Sequence, residues 1–396
     1  MNTLHHRHPT PGIRSQRLAG CARLLVAAAI SALLSPLATA QAFGKENLDV
    51  GARAQLDHSA FSGVTTRQGG TASATYVRRA DASARWRVNP QWRAAATLAY
   101  EDDKFVLDTA AVSWLPREGL ELRLGRIDPD FGLDNANSSS WTAGIERSAI
   151  FDLSPGIADA TEGFGARVDG HGKGWHASAG LYDKRDRQSL VARGVWMNTG
   201  AGEDVVQLGA SIARSGGMDD DGRVRTRLGL RGVSEDTAGR RSDLAPAVRL
   251  PARYSGETAL GVEAALQRGP WLLQAEALSL RLDGEAGAPS RSVSGQSVQL
   301  AWSPSGEARR HNASDARFGR PTGDKRDQGR WEVFYRYDKL SGTEGLKAQV
   351  HTLGASWFLG RTWRVSANVV SNRSEDPNSV GDRSGSGWVL RGQAVF

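Results

Sequence analysis

Read in steps of two, the chain repeatedly sets apolar residues on one face and polar residues on the other. Leu48, Val50, Ala52, Ala54 and Leu56 alternate with Arg53, Gln55 and Asp57. Ala82, Ala84, Trp86 and Val88 alternate with Asp81, Ser83, Arg85 and Arg87. Trp92, Ala94, Ala96, Leu98 and Tyr100 do the same against Arg93 and Thr97. Near the other end, Trp331, Val333, Tyr335 and Tyr337 stand against Glu332, Arg336 and Asp338, and Trp363, Val365, Ala367 and Val369 against Arg364, Ser366 and Asn368. A period of two is the mark of a strand with two unlike faces.

Alternation of this kind fits a soluble β-sandwich, with one buried and one wetted face, as well as a transmembrane barrel with lipid outside and water inside. The final segment separates the two. Trp388, Leu390, Gly392, Ala394 and Phe396 share one face, so the chain ends on an aromatic residue. A terminal strand of this form suits an outer-membrane barrel, whose aromatics sit at the two membrane interfaces. The mean hydropathy of −0.42 agrees with this, because barrel strands meet lipid only at every second residue.

A bacterial single-chain barrel takes an even number of strands and puts its short connections on the periplasmic side. Periplasmic turns are expected at Asn89-Pro90, Pro116 to Gly119, His171 to Gly174, Thr199 to Glu203, Gly269-Pro270 and Gly360-Arg361. Seventeen alternating segments are present, and this turn pattern excludes Arg223 to Glu235, which then belongs to a long external excursion from Ser215 to Gly256. The prediction is an all-β, antiparallel transmembrane barrel of sixteen strands, wide enough for a water-filled lumen. The connection from Pro304 to Gly329 is much longer than a periplasmic turn needs.

The N-terminus modifies this picture. Arg14, Arg17 and Arg23 precede an apolar run from Leu24 to Leu37, and Ala38-Thr39-Ala40 follows. This is the form of a secretory leader and is too short for a comfortable membrane span. Residues 1–40 are therefore expected to be a cleaved signal peptide, and 41–396 a single barrel domain exported to the bacterial outer membrane. The leader holds four of the 50 basic residues and none of the 43 acidic ones, so the mature chain is only about +3. The basic balance thus gives no reason to expect a nucleic-acid partner. His5, His6, His8 and the one cysteine, Cys21, also lie in the leader, so the mature domain has no disulfide and no thiolate metal site.

Between the fifth strand, Leu120 to Arg126, and the sixth, Glu162 to Gly170, lies a connection of about 35 residues, far beyond the usual loop length. As the third external loop it has the position that folds inward and narrows the lumen in sixteen-stranded porins. It carries Asp128, Asp130, Asp134, Glu146, Asp152 and Asp159 against the single Arg147. These acids either face the arginines of the wall across the lumen or bind backbone amides and shape the loop. Asp128, Asp130, Asp134 and Glu146 are the candidate constriction-loop acids.

At this point the sequence resembles the phosphate-selective porins O and P. The resemblance runs through Leu124-Gly125-Arg126, Asp130-Phe131-Gly132-Leu133, Ser138-Ser139-Ser140, Glu146-Arg147-Ser148 and Phe164-Gly165-Ala166-Arg167. It continues through Leu260-Gly261-Val262-Glu263, Gly269-Pro270, Trp331-Glu332, Arg336-Tyr337-Asp338 and the closing strand. It implies a homotrimer of separate pores in the outer membrane, in contact with lipid and lipopolysaccharide, passing small anions such as phosphate or polyphosphate through an arginine-lined lumen. Arg53, Arg79, Arg85, Arg87, Arg93, Arg123, Arg167, Arg336 and Arg391 all fall on the inward parity. With Arg126 and Arg147 they form the candidate pore-lining, anion-binding set. The guanidinium fork suits phosphate and keeps its charge. The same arginines can instead pair with Asp57, Asp81, Glu121, Asp169 or Asp338 in a wet lumen. Relatives with high phosphate affinity use pore lysines, whereas the seven here, Lys45, Lys104, Lys173, Lys184, Lys325, Lys339 and Lys347, all lie outside the expected constriction loop.

Signals for catalysis are few. The chain has no His-Glu-x-x-His, Gly-x-Ser-x-Gly or phosphate-binding glycine loop. His171 and His176 flank a glycine turn and read as turn and strand-end residues, and Asp219-Asp220-Asp221-Gly222 reads as an external tip. No cofactor, metal or enzymatic activity is expected. The alternative to an anion-selective pore is a general, non-specific one, and two rival barrels stand further off: one with a plugged lumen, and one with a catalytic group at its rim, where only His58, His311 and His351 are at hand.

Overall fold

The computed structural model describes residues 47–63, 71–101, 104–153, 163–184, 187–200, 203–220, 224–231, 242–245, 254–321, 329–375 and 384–396. The expected leader and Asp159 lie outside this set.

The polar and apolar alternation closes into a cylinder. Its first half is built from β1 (Leu48–Gly63), β2 (Thr71–Arg87), β3 (Trp92–Glu101), β4 (Lys104–Arg117), β5 (Leu120–Arg126), β6 (Phe164–Gly172), β7 (Trp175–Lys184), β8 (Arg187–Thr199) and β9 (Val205–Asp220). Two short strands, β10 (Val224–Thr226) and β11 (Ser242–Ala245), form a separate hairpin. The barrel resumes with β12 (Tyr254–Arg268), β13 (Trp271–Gly284) and β14 (Arg291–Trp302). A second hairpin, β15 (Arg309–Asn312) and β16 (Arg317–Pro321), interrupts it again before β17 (Arg330–Ser341), β18 (Lys347–Leu359), β19 (Trp363–Glu375) and β20 (Ser384–Val395). Sixteen strands pair in order, every pair antiparallel, and β1 pairs with β20 to close the sheet. Closure satisfies every edge, which a sheet in hydrocarbon requires.

Burial is inverted relative to a soluble protein. Leu124, Leu181, Val262, Leu353 and Val369 are among the large apolar side chains left exposed, while Asp57, Gln207, Glu263, Arg193 and Asp338 are buried. The exposed apolar side chains lie on the lipid face, the buried polar ones on the lumen face. The start of β1, the end of β20 and the short turns share one end of the cylinder, which is thereby the periplasmic end. There Trp92 stacks on Trp114, Trp271 on Trp302 and Trp331 on Trp357, while Trp363 meets Phe396 edge to face. These pairs make an aromatic girdle at the periplasmic interface.

Two expectations are refined. The external excursion begins later than Ser215, because β9 continues to Asp220 and pairs with Tyr254. And both long interruptions turn inward. The β15–β16 hairpin, inside the unexplained Pro304 to Gly329 connection, enters the lumen from the periplasmic side: Gln267 donates to the carbonyl of Arg309, and Gln207 and Arg193 donate to that of Ala316. Residues 224–231 of the excursion enter from outside. Asn372 donates to the carbonyl of Leu228 and Tyr76 to that of Arg231.

Candidate functional site: the lumen and its inserted loops

The third loop leaves β5 at a break in the alternation. Gly125 has φ +131°, and a Cβ there would lie 2.1 Å from the carbonyl oxygen of Ala110. The strand can thus turn inward only at glycine, and Arg126 follows as a partly buried residue at its end. From there the loop hydrogen-bonds to inward side chains on both halves of the barrel, from β1 to β20. Asp130 accepts from His176 (2.9 Å), Ser178 (2.8 Å) and Arg193 (3.1 Å). The amides of Leu133 and Asp134, which open the short helix α1 (Leu133–Ala136), donate to Glu276 at 2.9 and 2.8 Å. Arg364 donates to the carbonyls of Ser140, Thr142 and Ala143, Arg391 to that of Ile145, and Arg336 to those of Glu146 and Arg147. Across its turn Ala149–Leu153, the amide of Ala149 donates to Asp338.

Apolar packing fixes the same arrangement in the external half of the lumen. Ile150 and Leu153 of the loop and Leu228 and Leu230 of the excursion pack with inward Phe61, Leu280, Val293, Leu340, Val350 and Val370. Gly295 makes room for them, since a Cβ there would lie 2.7 Å from Ile150 and 2.9 Å from Leu153. On the periplasmic side, Phe318 of the β15–β16 hairpin packs with Leu133, Ala143 and Phe334, and its amide donates to Asn137 of the loop. Arg309 of the hairpin forms a two-point pair with Glu332, at 2.6 and 2.5 Å, and donates to the carbonyl of Trp141.

These insertions fill the lumen unevenly. Along β7–β9 and β12–β20 the inward charges are sealed: the side chains of Arg193, Glu263 and Arg391 expose 0%, 1% and 6% of their surface. Along β1–β6 Asp57, Asp81 and Asp169 are buried too, but several charges remain partly open, with Arg79 at 16%, Arg123 at 28% and Asp108 at 32%. The water-accessible strip of the lumen is therefore the wall made by the first six strands.

The sequence-predicted arginines divide accordingly. Arg53, Arg79, Arg123 and Arg167 lie on the open strip, each beside a carboxylate: Arg53 and Arg79 on Asp81, Arg79 also on Asp108 at 2.7 Å, Arg123 on Glu121, and Arg167 on Asp169. Arg85, Arg87 and Arg93 are exposed near the periplasmic mouth, where Arg85 approaches Asp49 at 3.6 Å. Arg147 donates to Asn135 and to the carbonyl of Asn137 within the loop. Arg336 and Arg391 are buried: both donate to loop carbonyls, Arg391 donates to Asp57 as well, and Arg336 lies in ion-pair contact with Asp338 at 3.3 Å; in this structure they are anchors.

Among the loop acids, Asp128 is exposed, and Arg167 binds its carbonyl. Asp130 is tied to the wall, and Asp134 accepts from the amide of Ser148. Glu146 meets Arg78 at 3.3 Å and Arg391 at 3.0 Å. Burial pushes the Glu146 carboxyl up, but Arg78, Arg391 and Arg231 outweigh it and hold the group at about 2. Asp130 is held well below the usual carboxylate range: burial raises it, and Arg193 and His176 more than reverse this. Asp152 binds Thr226 and the amide of Arg227, joining the loop to the excursion. Both readings of these acids are thus met: Asp134 and Asp152 bind backbone amides and shape the loop, whereas Asp130 and Glu146 face arginines of the wall.

Period-two reasoning missed Arg78. In the β1–β2 register Gln55 faces Arg79 and Leu56 faces Val77, so Arg78 is the extra residue of a bulge. Two consecutive arginines consequently reach the lumen, and Arg78 meets Glu101 at 2.6 Å. The anchors Arg193, Arg309 and Arg364 and their acids Glu263 and Glu332 were also missed as such. Their inward parity was legible, but their partners come from distant segments. Asp130, Asp169 and His176 lie close enough to suggest a cation site, yet Arg193 and Arg167 already neutralise the carboxylates.

A closed sixteen-strand cylinder with lipid on one face and a partly open, charged lumen on the other is an outer-membrane diffusion pore. The chain belongs to the phosphate-selective porin O and P family, whose sequence profile matches residues 48–396. Porin O of Pseudomonas aeruginosa is 31% identical over 386 residues, covering 88% of each chain. The fold is similar to that of an anion-selective porin from Comamonas acidovorans (TM-score 0.59, 13% identity, 88% of this chain and 99% of that one). It is also similar to that of OprB of Pseudomonas putida at high pH (TM-score 0.60, 9% identity, 90% and 96%). OmpT of Vibrio cholerae in its trimer form shares it as well (TM-score 0.55, 11% identity, 88% and 100%). The protein is accordingly a porin of the bacterial outer membrane.

Proposed function

We propose that the protein is a passive, anion-preferring pore whose conducting path follows the β1–β6 wall. The observation that carries this is the uneven lumen: guanidinium groups of Arg53, Arg79, Arg123 and Arg167 stay partly open on one wall while the opposite charges are sealed under inserted loops. The third loop is the constriction, flanked by residues 224–231 and the β15–β16 hairpin. Fixed cations along a low-dielectric passage raise the local concentration of anions and speed their entry. Because each of these arginines already leans on a carboxylate, the preference is for small anions generally, with phosphate and polyphosphate among the permeants, held weakly enough to leave.

The accompanying features follow the same reading. Residues 1–40 act as a cleaved signal peptide. The outward side chains of β2–β4 include Ala80, Ala82, Ala84, Ala94, Ala96 and Ala110; this smooth face suits contact between barrels, and we take the active form to be a homotrimer. Lipid and lipopolysaccharide cover the remaining exterior. The chain acts without enzymatic activity, cofactor, metal or nucleic acid.

The test is the reversal potential of purified protein in a planar bilayer under a potassium chloride gradient. An anion sign is expected, and Arg79→Glu with Arg123→Glu should move it toward zero or reverse it. A cation sign in the wild type would refute the preference. Adding inorganic phosphate reads the affinity: block only at high concentration is expected, whereas block at low concentration would replace weak general binding with a dedicated site.

A further inference from the structure

The exterior of β17, β18 and β19 changes character near the external end. Between the Trp girdle and that end the lipid face is apolar, with Val333, Tyr335, Leu353, Val365 and Val369. Above it stand Lys339, Lys347 and Arg373, all exposed, with Gln349 and His351 between them. The register makes these one patch. Gln349 faces Lys339 on one side and Arg373 on the other, and His351 lies between Tyr337 and Ser371 one step below. Lys347 faces Glu375, whose carboxylate meets Arg373 at 3.3 Å and is the one acid of the patch among the described residues. Neither lysine has an ion-pair partner among the described residues.

Height decides what this patch meets. From Trp363 to Arg373, and from Trp357 to Lys347, the strand advances ten residues, about 34 Å of chain and about 26 Å of height at the tilt of such barrels. That matches an apolar band of about 25 Å, so Lys347 and Arg373 stand at its outer edge, where headgroups begin, and Lys339 shares the cross-strand row of Arg373 through Gln349. The aromatic pair beneath them, Tyr335 hydroxyl to His351 Nδ1 at 2.7 Å, marks the same interface.

We propose that this face docks a phosphorylated glycolipid of the outer leaflet, its phosphate between Lys339, Lys347 and Arg373 and its acyl chains along Tyr335, Leu353 and Val369. The assignment rests on the barrel's place in the outer membrane and is independent of its ion preference. Three cations converging outward on a membrane surface, with no lumen contact, complement a phosphate ester and serve no role in conduction.

The experiment uses native mass spectrometry of purified protein titrated with bis-phosphorylated lipid A in detergent. Wild type is expected to retain the lipid, and the triple variant K339Q/K347Q/R373Q to bind it about 100-fold more weakly, at roughly a factor of five per cation. The control K173Q, in the exposed periplasmic turn, should bind as wild type does. Single-channel conductance of the triple variant should match wild type, showing that it is folded and separating this site from the pore. Equal retention by the triple variant, or equal binding of dephosphorylated lipid A to wild type, would overturn the proposal.

Discussion

Single arginines in this lumen do two different jobs, decided by what lies opposite. Arg364 is buried, with three loop carbonyls as acceptors. Arg364→Met leaves those carbonyls unpaired, at roughly 1–3 kcal/mol for each buried acceptor. The expected outcome is a noisier channel with higher mean conductance, read in single-channel records; an unchanged record would deny the anchoring role. Glu146 gives a pH test. Its folded value near 2 lies below the ordinary 4.5, so its contribution is complete above the unfolded value and disappears as pH falls toward 2. The difference in conductance between wild type and Glu146→Gln should stay constant from pH 7 to about 4. A difference that fades around the ordinary carboxylate range would contradict the Arg78 and Arg391 pairing.

Elements show why an ordinary alternating strand can carry an insertion. Gly295 on β14 holds the third loop's turn close to the wall, so Gly295→Leu should push Ile150 and Leu153 aside. Overpacking of this kind costs about 1–3 kcal/mol, and faster proteolysis within 145–153 at unchanged barrel folding is the expected reading. The β15–β16 hairpin has its own titrating group. Burial, and then the charge of Arg193, lower His311 to about 4 from the ordinary 6.5, while its Nε2 meets Gln207 at 3.0 Å. A histidine favoured neutral in the fold stabilises fully above its unfolded value and loses that contribution as pH falls toward 4. Conductance should therefore rise between pH 6.5 and 4 as the hairpin loosens, and His311→Gln should abolish that rise. A pH response identical in the variant would assign it elsewhere.

For the whole molecule, three inserted segments occupy part of a wide cylinder, and the proposed path runs along the wall they leave partly open. Replacing residues 306–319 with a short Gly-Ser link removes the periplasmic insertion while leaving β14 and β17 paired. Conductance is expected to increase with the anion sign of the reversal potential retained, because the open arginines belong to β1–β6. Loss of the sign would mean that the hairpin, and not the wall, sets selectivity.

Period-two alternation, the aromatic end and the turn residues determined the barrel, its sixteen strands and the inward parity of Arg53, Arg79, Arg123 and Arg167, because a two-solvent wall writes its geometry into adjacent residues. Alternation cannot see across the lumen. Which arginines stay open and which become anchors, as Arg336 and Arg391 do, depends on segments more than a hundred residues away folding into the same space. The Arg78 bulge was decided by the pairing of β1 with β2, and the inward course of the β15–β16 hairpin by contacts such as Arg193 to the carbonyl of Ala316, neither of which is written in the alternation of a single strand.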